Sequence, residues 1–388
     1  MHPPADPFRL PASQSTPAAR QIAAQIRDQG PITFATFMHT ALYDPSTGYY
    51  RSGRPTVGRE GDFLTSPELH PLFAYAIAAL AAAHWDAQGR PPAYTICDVG
   101  PGSGALIAAG LTWAEAQRPD FAAALRGFLV EPSPSIQARQ RERLPSVAAR
   151  LTWYADLREL APLRGLIVAN ELLDAQPVHR LRWTGTAWQE LYVALDSDRF
   201  VDLPGPPQSA TLLEPLATLD PRQGQIVEVC PGLGPLLRAL ATALHDGLLL
   251  LFDYGDRRDR LYAPWRSQGT LMSFYRHTPG DDPYQRVGEQ DLTCHVDIDA
   301  VQQAALAAGL TPYPVRSQAA WLAEMGATSL SPIAEAGSGA DLDAHLERRR
   351  TAQLLSDPAG LGRIQLMAFA KGPAPTLDGL GEPQPNPT

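Results

Sequence analysis

The order of apolar runs and helix-forming stretches between residues 94 and 171 constrains this chain more than any other feature. YTICDVG is followed by a helix-forming stretch, then by GFLVEP, the helix-forming SIQARQRERL, a short strand around LTWY, and GLIVANE. Strand-length apolar runs alternating with helices predict a parallel, doubly wound sheet covered on both faces. The first turn of the alternation lies in TICDVGPGSGALIAAG, residues 95–110, which starts apolar, turns on glycines and ends as a helix. Glycines there let the backbone turn sharply and pass close to a ligand, and the helix N-terminus offers free N–H groups.

Spacing narrows the ligand. Gly100, Gly102 and Gly104 give G-x-G-x-G after a strand that carries Asp98. Dinucleotide sites favour the wider G-x-G-x-x-G, which suits a pyrophosphate. The tighter spacing with an acid just ahead suits a cofactor without phosphates, and S-adenosyl-L-methionine is one. An acid at the end of the next strand should then hold the ribose hydroxyls, and GFLVEP places Glu131 there. A second stretch, QIVEVCPGLGPLLRAL at 225–240, has a similar outline, but Cys230 replaces the first glycine and Pro235 follows the last. That turn reads as structural, although the strand after it ends in an acid, Asp253.

The rest of the chain sets limits. At 388 residues it can bury a large core as one or two domains, and its net charge of −9 argues against a nucleic-acid backbone binder. Cys97, Cys230 and Cys294 show no paired metal spacing and no disulfide framework, which predicts a reduced, cytosolic setting. No apolar run reaches membrane-spanning length, and the N-terminus lacks a secretory pattern. Residues 17–43 read as two helices, the second capped by Thr33. HRLRWTGTAWQELYVAL reads as an antiparallel hairpin, and GQIVEVC and GLLLLFDYG as strands that continue a mixed sheet.

With these features in hand, the chain resembles the family of SAM-dependent methyltransferases that includes the MidA proteins and the mitochondrial complex I assembly methyltransferase. The matching blocks run from about residue 31 to about residue 310: FMHTALYDPSTGYYRSG, GREGDFLTSPELHPLF, DVGPGSGAL, VEPSPSIQARQRERL, VANELLDAQPVHR, LLLLFDYG and GTLMSFYRHTPGDDPYQRVGEQDLTCHVD. The resemblance implies an α/β, class I methyltransferase fold. Its Rossmann-like, seven-stranded mixed sheet has the last strand inserted antiparallel. An N-terminal helical extension and inserted substrate-side segments are added to it. Two departures stand out: the acid ahead of the glycines is Asp98 where relatives often carry Glu, and Cys230 stands where a small polar residue is expected. The expected division is a disordered arm over 1–16, a helical region with a cofactor-covering loop over 17–90, a SAM-binding core over 91–255 and 361–371, a substrate-side insertion with C-terminal helices over 256–360, and a disordered tail over 372–388.

Methyl transfer is an in-line displacement, so the protein must align a nucleophile and exclude water. A carboxylate near the methyl can remove a proton, and carboxylates also bind a guanidinium bidentately. VANELLDAQP, at the carboxyl edge beside the glycine turn, supplies Glu171 and Asp174 as catalytic candidates; Asn170 is expected on the cofactor. A helix cap is the plainer reading of the same residues. In GREGDFLTSPELHP, Asp62, Phe63 and Thr65 are expected to cover the cofactor, on a loop leading into a helix that starts near Ser66 and Pro67. YRHTPGDDPYQRVGEQDLTCHVD reads as a substrate lid, with His277 as a base or donor; His277 and His295 are too widely spaced to suggest zinc. Asp156 falls where class I methyltransferases hold the adenine amine. The expected function is SAM-dependent methylation of a protein side chain, an arginine nitrogen, leaving S-adenosyl-L-homocysteine. The alternatives are a small-molecule O- or N-methyltransferase and a SAM-binding assembly factor.

Overall fold

The structure is a computed structural model, and it describes residues 16–51, 65–330 and 350–385. The chain divides into two compact units, each built from separate stretches of sequence.

The larger unit holds the described residues from 65 to 174, 233 to 258 and 295 to 385. Its sheet runs, from one edge, Leu151–Tyr154, Leu125–Val130, Tyr94–Val99, Leu163–Asn170, Leu244–Asp253, Gln365–Lys371 and Thr311–Pro312, and Arg316–Ser317 also pairs with Gln365–Lys371. The first five strands run parallel to one another, and Gln365–Lys371 is antiparallel to Leu244–Asp253. The last long strand of the chain is thus inserted beside the fifth parallel strand, reversed in direction. Central strands read as unbroken apolar runs because helices cover both faces. Leu248, Leu249, Leu250, Leu251 and Phe252 are all fully buried. Helix Leu72–Ala87, apolar nearly all round, packs on helix Ala105–Gln117. Phe73 and Trp321 meet Phe252 edge-on, with ring centroids 4.9 and 5.0 Å away.

The smaller unit holds the described residues from 16 to 51, 175 to 232 and 259 to 294. Its main sheet is antiparallel: Ile32–Thr33, Trp188–Asp196, His179–Trp183 and Ile226–Val229, with Arg199–Gly205 on Trp188–Asp196. Thr16 and Thr33 cap helices Pro17–Gln29 and Phe34–Tyr43 by accepting backbone N–H bonds. Phe37 anchors an aromatic core, with Tyr284 and Phe200 at 5.2 and 5.6 Å.

The observed division corrects the expected one. Residues 175–232 leave the presumed continuous core and build the smaller unit, and the 17–90 and 256–360 regions are each split between the two. Alternating residues predict a hairpin but carry no information on which sheet it joins. The tail is also corrected over its described part. Leu377 and Leu380 are buried, Tyr313 donates to the Pro375 carbonyl at 2.8 Å, and the Gln384 N–H donates to the Pro312 carbonyl at 2.8 Å. Residues 1–15 and 386–388, expected to be disordered, lie outside the described residues. No helix among the described residues is long and apolar enough to cross a membrane.

Candidate active site

At the carboxyl end of strand Tyr94–Val99 the chain turns through Gly100, Gly102 and Gly104, with φ of 72°, 55° and 80°. All three lie in the left-handed region, where a side chain is strained, so the glycines are required by the backbone itself. A Cβ on Gly104 would also stand 2.7 Å from Leu144 Cδ1. Gly104 caps helix Ala105–Gln117, whose first N–H groups face the turn.

Two buried acceptors flank this turn. Asp98 is 2% exposed and its Oδ2 has no hydrogen-bond partner among the described residues; burial pushes its carboxyl up to about 7. Asn170 Oδ1 is likewise without a partner. Asp98 is in register with Val168, so Asn170, two residues further along that strand, lies on the same face of the sheet. Orphaned buried acceptors are costly unless a donor arrives. A ligand carrying an ammonium group fits them, and the amino-acid end of S-adenosyl-L-methionine carries one. Glu131 follows strand Leu125–Val130 and is also buried. One of its oxygens accepts the Ser133 N–H at 2.8 Å.

The next strand end brings carboxylates together. After Asn170 the backbone of Glu171 turns at φ 51°, and its N–H donates to the Phe252 carbonyl at 2.8 Å. Asn170 Nδ2 donates to Glu171 Oε1 at 2.9 Å. No helix begins here, so Asn170 caps none. The turn is held by Asp253, whose Oδ2 accepts the N–H groups of Leu173 at 2.7 Å and Asp174 at 3.2 Å. Asp253 Oδ1 accepts the Tyr254 N–H at 2.9 Å. Burial, then the nearby Asp174 carboxylate, push the Asp253 carboxyl well above the usual range. The Tyr254 ring stacks on His295 at 6.4 Å. Asp253 stands in the sequence only as the acid that ends a strand, with no site role expected of it. Its one signal was an acid closing the apolar run LLLLF.

The surroundings of the other expected site residues are as follows. The Asp156 carboxylate accepts the Arg158 N–H at 2.8 Å and pairs with its guanidinium at 2.6 Å, which draws its pKa down to about 2. This is a local cap, cheap to form because its partner is two residues away. His277 sits on an exposed hairpin turn in the smaller unit, between Tyr275 and Thr278, where Arg276 and His277 have φ of 48° and 61°. Thr65 is the half-buried N-cap of helix Ser66–Leu69 but makes no side-chain cap bond. Asp62 and Phe63 lie outside the described residues. Among the described residues no group of three His, Cys, Asp or Glu could hold a metal ion.

The sheet order, the reversed last strand, the left-handed glycine turn and the orphaned acceptors together define a class I SAM-dependent methyltransferase. The family model described as S-adenosyl-L-methionine-dependent methyltransferase matches residues 76–315, and the chain belongs to this MidA-type family. Similar proteins include protein arginine methyltransferase NDUFAF7, mitochondrial, of Mus musculus, 30% identical over 343 residues, covering 81% of this chain and 75% of that one. The Homo sapiens protein of the same name is 29% identical, covering 80% and 74%. A crystal structure of a superfamily member from Burkholderia thailandensis, bound to S-adenosyl-homocysteine, superposes with a TM-score of 0.86 at 32% identity, covering 98% of this chain and 99% of that one. The cofactor is S-adenosyl-L-methionine. The expected cytosolic setting is overturned, because these curated relatives are named as mitochondrial. Unpaired cysteines indicate a reducing compartment, and they do not single out the cytosol.

Proposed function

We propose that this methyltransferase transfers its methyl group to a guanidinium nitrogen of a protein arginine. The observation that carries this reading is the convergence of Glu171, Asp174 and Asp253 at the ends of two adjacent parallel strands, one of them next to the strand of the glycine turn. In this reading Gly100, Gly102, Gly104, Asp98 and Asn170 take the amino-acid end of the cofactor, and Glu131 takes the ribose.

S-adenosyl-L-methionine supplies a methyl on a sulfonium leaving group. The protein's own task is then to hold the acceptor and remove a proton. A guanidinium is always charged, with a pKa above about 12, and its attacking nitrogen must lose a proton as the new N–C bond forms. Glu171 is the candidate to bind the cation and receive that proton. Asn170 holds one of its oxygens and so limits its rotation. Asp174 adds charge beside it, and Asp253 fixes the turn through backbone bonds. The names of the curated relatives support an arginine acceptor. Incubation of the full chain with methyl-labelled cofactor and a cell lysate tests the reading. Methylarginine in the hydrolysed protein fraction is expected, and label confined to small molecules overturns it.

A further inference from the structure

Helix Pro134–Arg143 has one buried residue, and that residue is a glutamine. Gln140 is 1% exposed. Burying an amide is unfavourable unless both of its ends are bonded, and here both are. Trp153 Nε1 donates to Gln140 Oε1 at 2.9 Å. An indole N–H can only donate, so it fixes the amide's orientation and leaves Nε2 to donate elsewhere. Nε2 donates to the carbonyl of Gly102, the middle glycine of the turn, at 2.8 Å.

The same helix is tied to the other end of the cofactor site. Gln137, one turn earlier, donates from Nε2 to the Glu131 carbonyl at 2.7 Å. Residues three apart on a helix lie on one face. The C-terminal end of the helix meets the glycine turn once more directly and once through Glu68. Leu144 packs where a Cβ of Gly104 would be, and Arg143 lies 3.6 Å from Glu68, which accepts a bond from the Ser103 hydroxyl. We infer that this helix is a spacer that fixes the glycine turn relative to Glu131, with Gln140 as its positioning residue. A ligand that spans both ends needs that spacing, and a ligand that uses only the Glu131 end does not. The inference rests on the reading that the glycine turn takes the amino-acid end and Glu131 the ribose.

Calorimetric titration of the full chain with S-adenosyl-L-homocysteine and, separately, with adenosine tests it. Gln140→Glu keeps the shape and still accepts from Trp153, but it sets an acceptor against the Gly102 carbonyl. Homocysteine-ligand affinity should fall about ten- to hundredfold, with adenosine affinity within about twofold. Trp153→Phe, which leaves Gln140 in place but frees its amide to rotate, should show the same pattern at smaller size and serves if Gln140→Glu fails to fold. Equal losses for both ligands, or unchanged S-adenosyl-L-homocysteine binding in either folded variant, overturn the spacer. Gly102→Val separates the underlying reading. If it binds S-adenosyl-L-homocysteine normally, the assignment of the glycine turn fails with the spacer; if it does not while Gln140→Glu does, only the spacer fails.

Discussion

Two turns in this chain have nearly the same sequence: Asp98-Val-Gly-Pro-Gly-Ser-Gly104 and Glu228-Val-Cys-Pro-Gly-Leu-Gly234. Both follow a strand and lead into a helix. In the first, all three glycines have positive φ; in the second, neither Gly232 nor Gly234 does. The first follows a central strand with parallel neighbours on both sides, the second an antiparallel strand. The acids ahead of them differ most. Each keeps one buried oxygen without a partner among the described residues, Asp98 Oδ2 and Glu228 Oε1, but Glu228 Oε2 accepts the Thr270 N–H at 2.9 Å and its hydroxyl at 3.1 Å. Arg180 stands opposite Glu228 in register and offsets its charge. A strand–turn–helix outline is therefore shared by a ligand site and by a structural corner. What distinguishes them is whether the protein supplies the acid with donors and a counter-charge and whether the backbone needs its glycines.

The largest effect that could break this comparison comes from a bulky side chain in the first turn. Gly102→Val places a β-branched residue at a φ of 55° beside the cofactor path. Cofactor binding should fall by more than about a hundredfold, on the scale of a few kcal/mol for clash and strain combined. Titration with S-adenosyl-L-methionine measures it. Wild-type affinity in this variant would make the first turn a corner like the second.

The acids give the next effect. Burial raises the Asp98 carboxyl from 3.8 to about 7. An acid with a raised folded pKa stays protonated in the fold while the unfolded chain ionises, so its contribution to stability is lost as pH rises from about 4 to about 7. The loss without cofactor is on the order of a few kcal/mol. Asp253 and Glu228 shift in the same direction, so the quantity to measure is the difference between wild type and Asp98→Asn in denaturant melts at several pH values. The variant should show a flatter profile. An identical profile would mean that Asp98 bears no such cost.

A smaller contrast separates the acids that end the strands after each turn. Glu131 follows the first turn and Asp253 the second. Asp253→Asn removes an acceptor from a buried set of three backbone N–H groups and should cost about 1–3 kcal/mol of stability. Glu131→Ala should instead weaken cofactor binding by a similar amount, with a smaller change in melting temperature. Paired melting and titration experiments decide it, and the comparison fails if the two variants lose the same property.

These contrasts show what the sequence made legible. Four of the five parallel strands and their helices could be read because apolar runs and helical stretches alternate cleanly from Tyr94 to Asn170. The three glycines and Glu131 could be read because their spacing answers to one backbone geometry. The destination of the 179–195 hairpin could not, since sheet membership depends on packing between distant residues. The role of Asp253 could not, because its bonds run to the backbone of Leu173 and Asp174, about eighty residues earlier, and no local pattern encodes them.

The smallest expected effect is the sharpest test of the second turn. Gly234 lies in the first turn of helix Leu233–Ala243 without a positive φ. A Cβ added there would stand 3.4 Å from Arg238 Nη1, the end of a flexible side chain that can shift. Alanine is favoured over glycine inside helices by up to about 1 kcal/mol, and less near a terminus. Gly234→Ala should therefore leave stability unchanged or raise it by a few tenths of a kcal/mol, and leave cofactor affinity untouched. Gly104→Ala is the matched control at a φ of 80°, where Leu144 already fills the space. It should lose both stability and cofactor affinity. If Gly234→Ala also lost cofactor affinity, the second turn would have to be counted as part of the site, and the contrast between the two glycine turns would collapse.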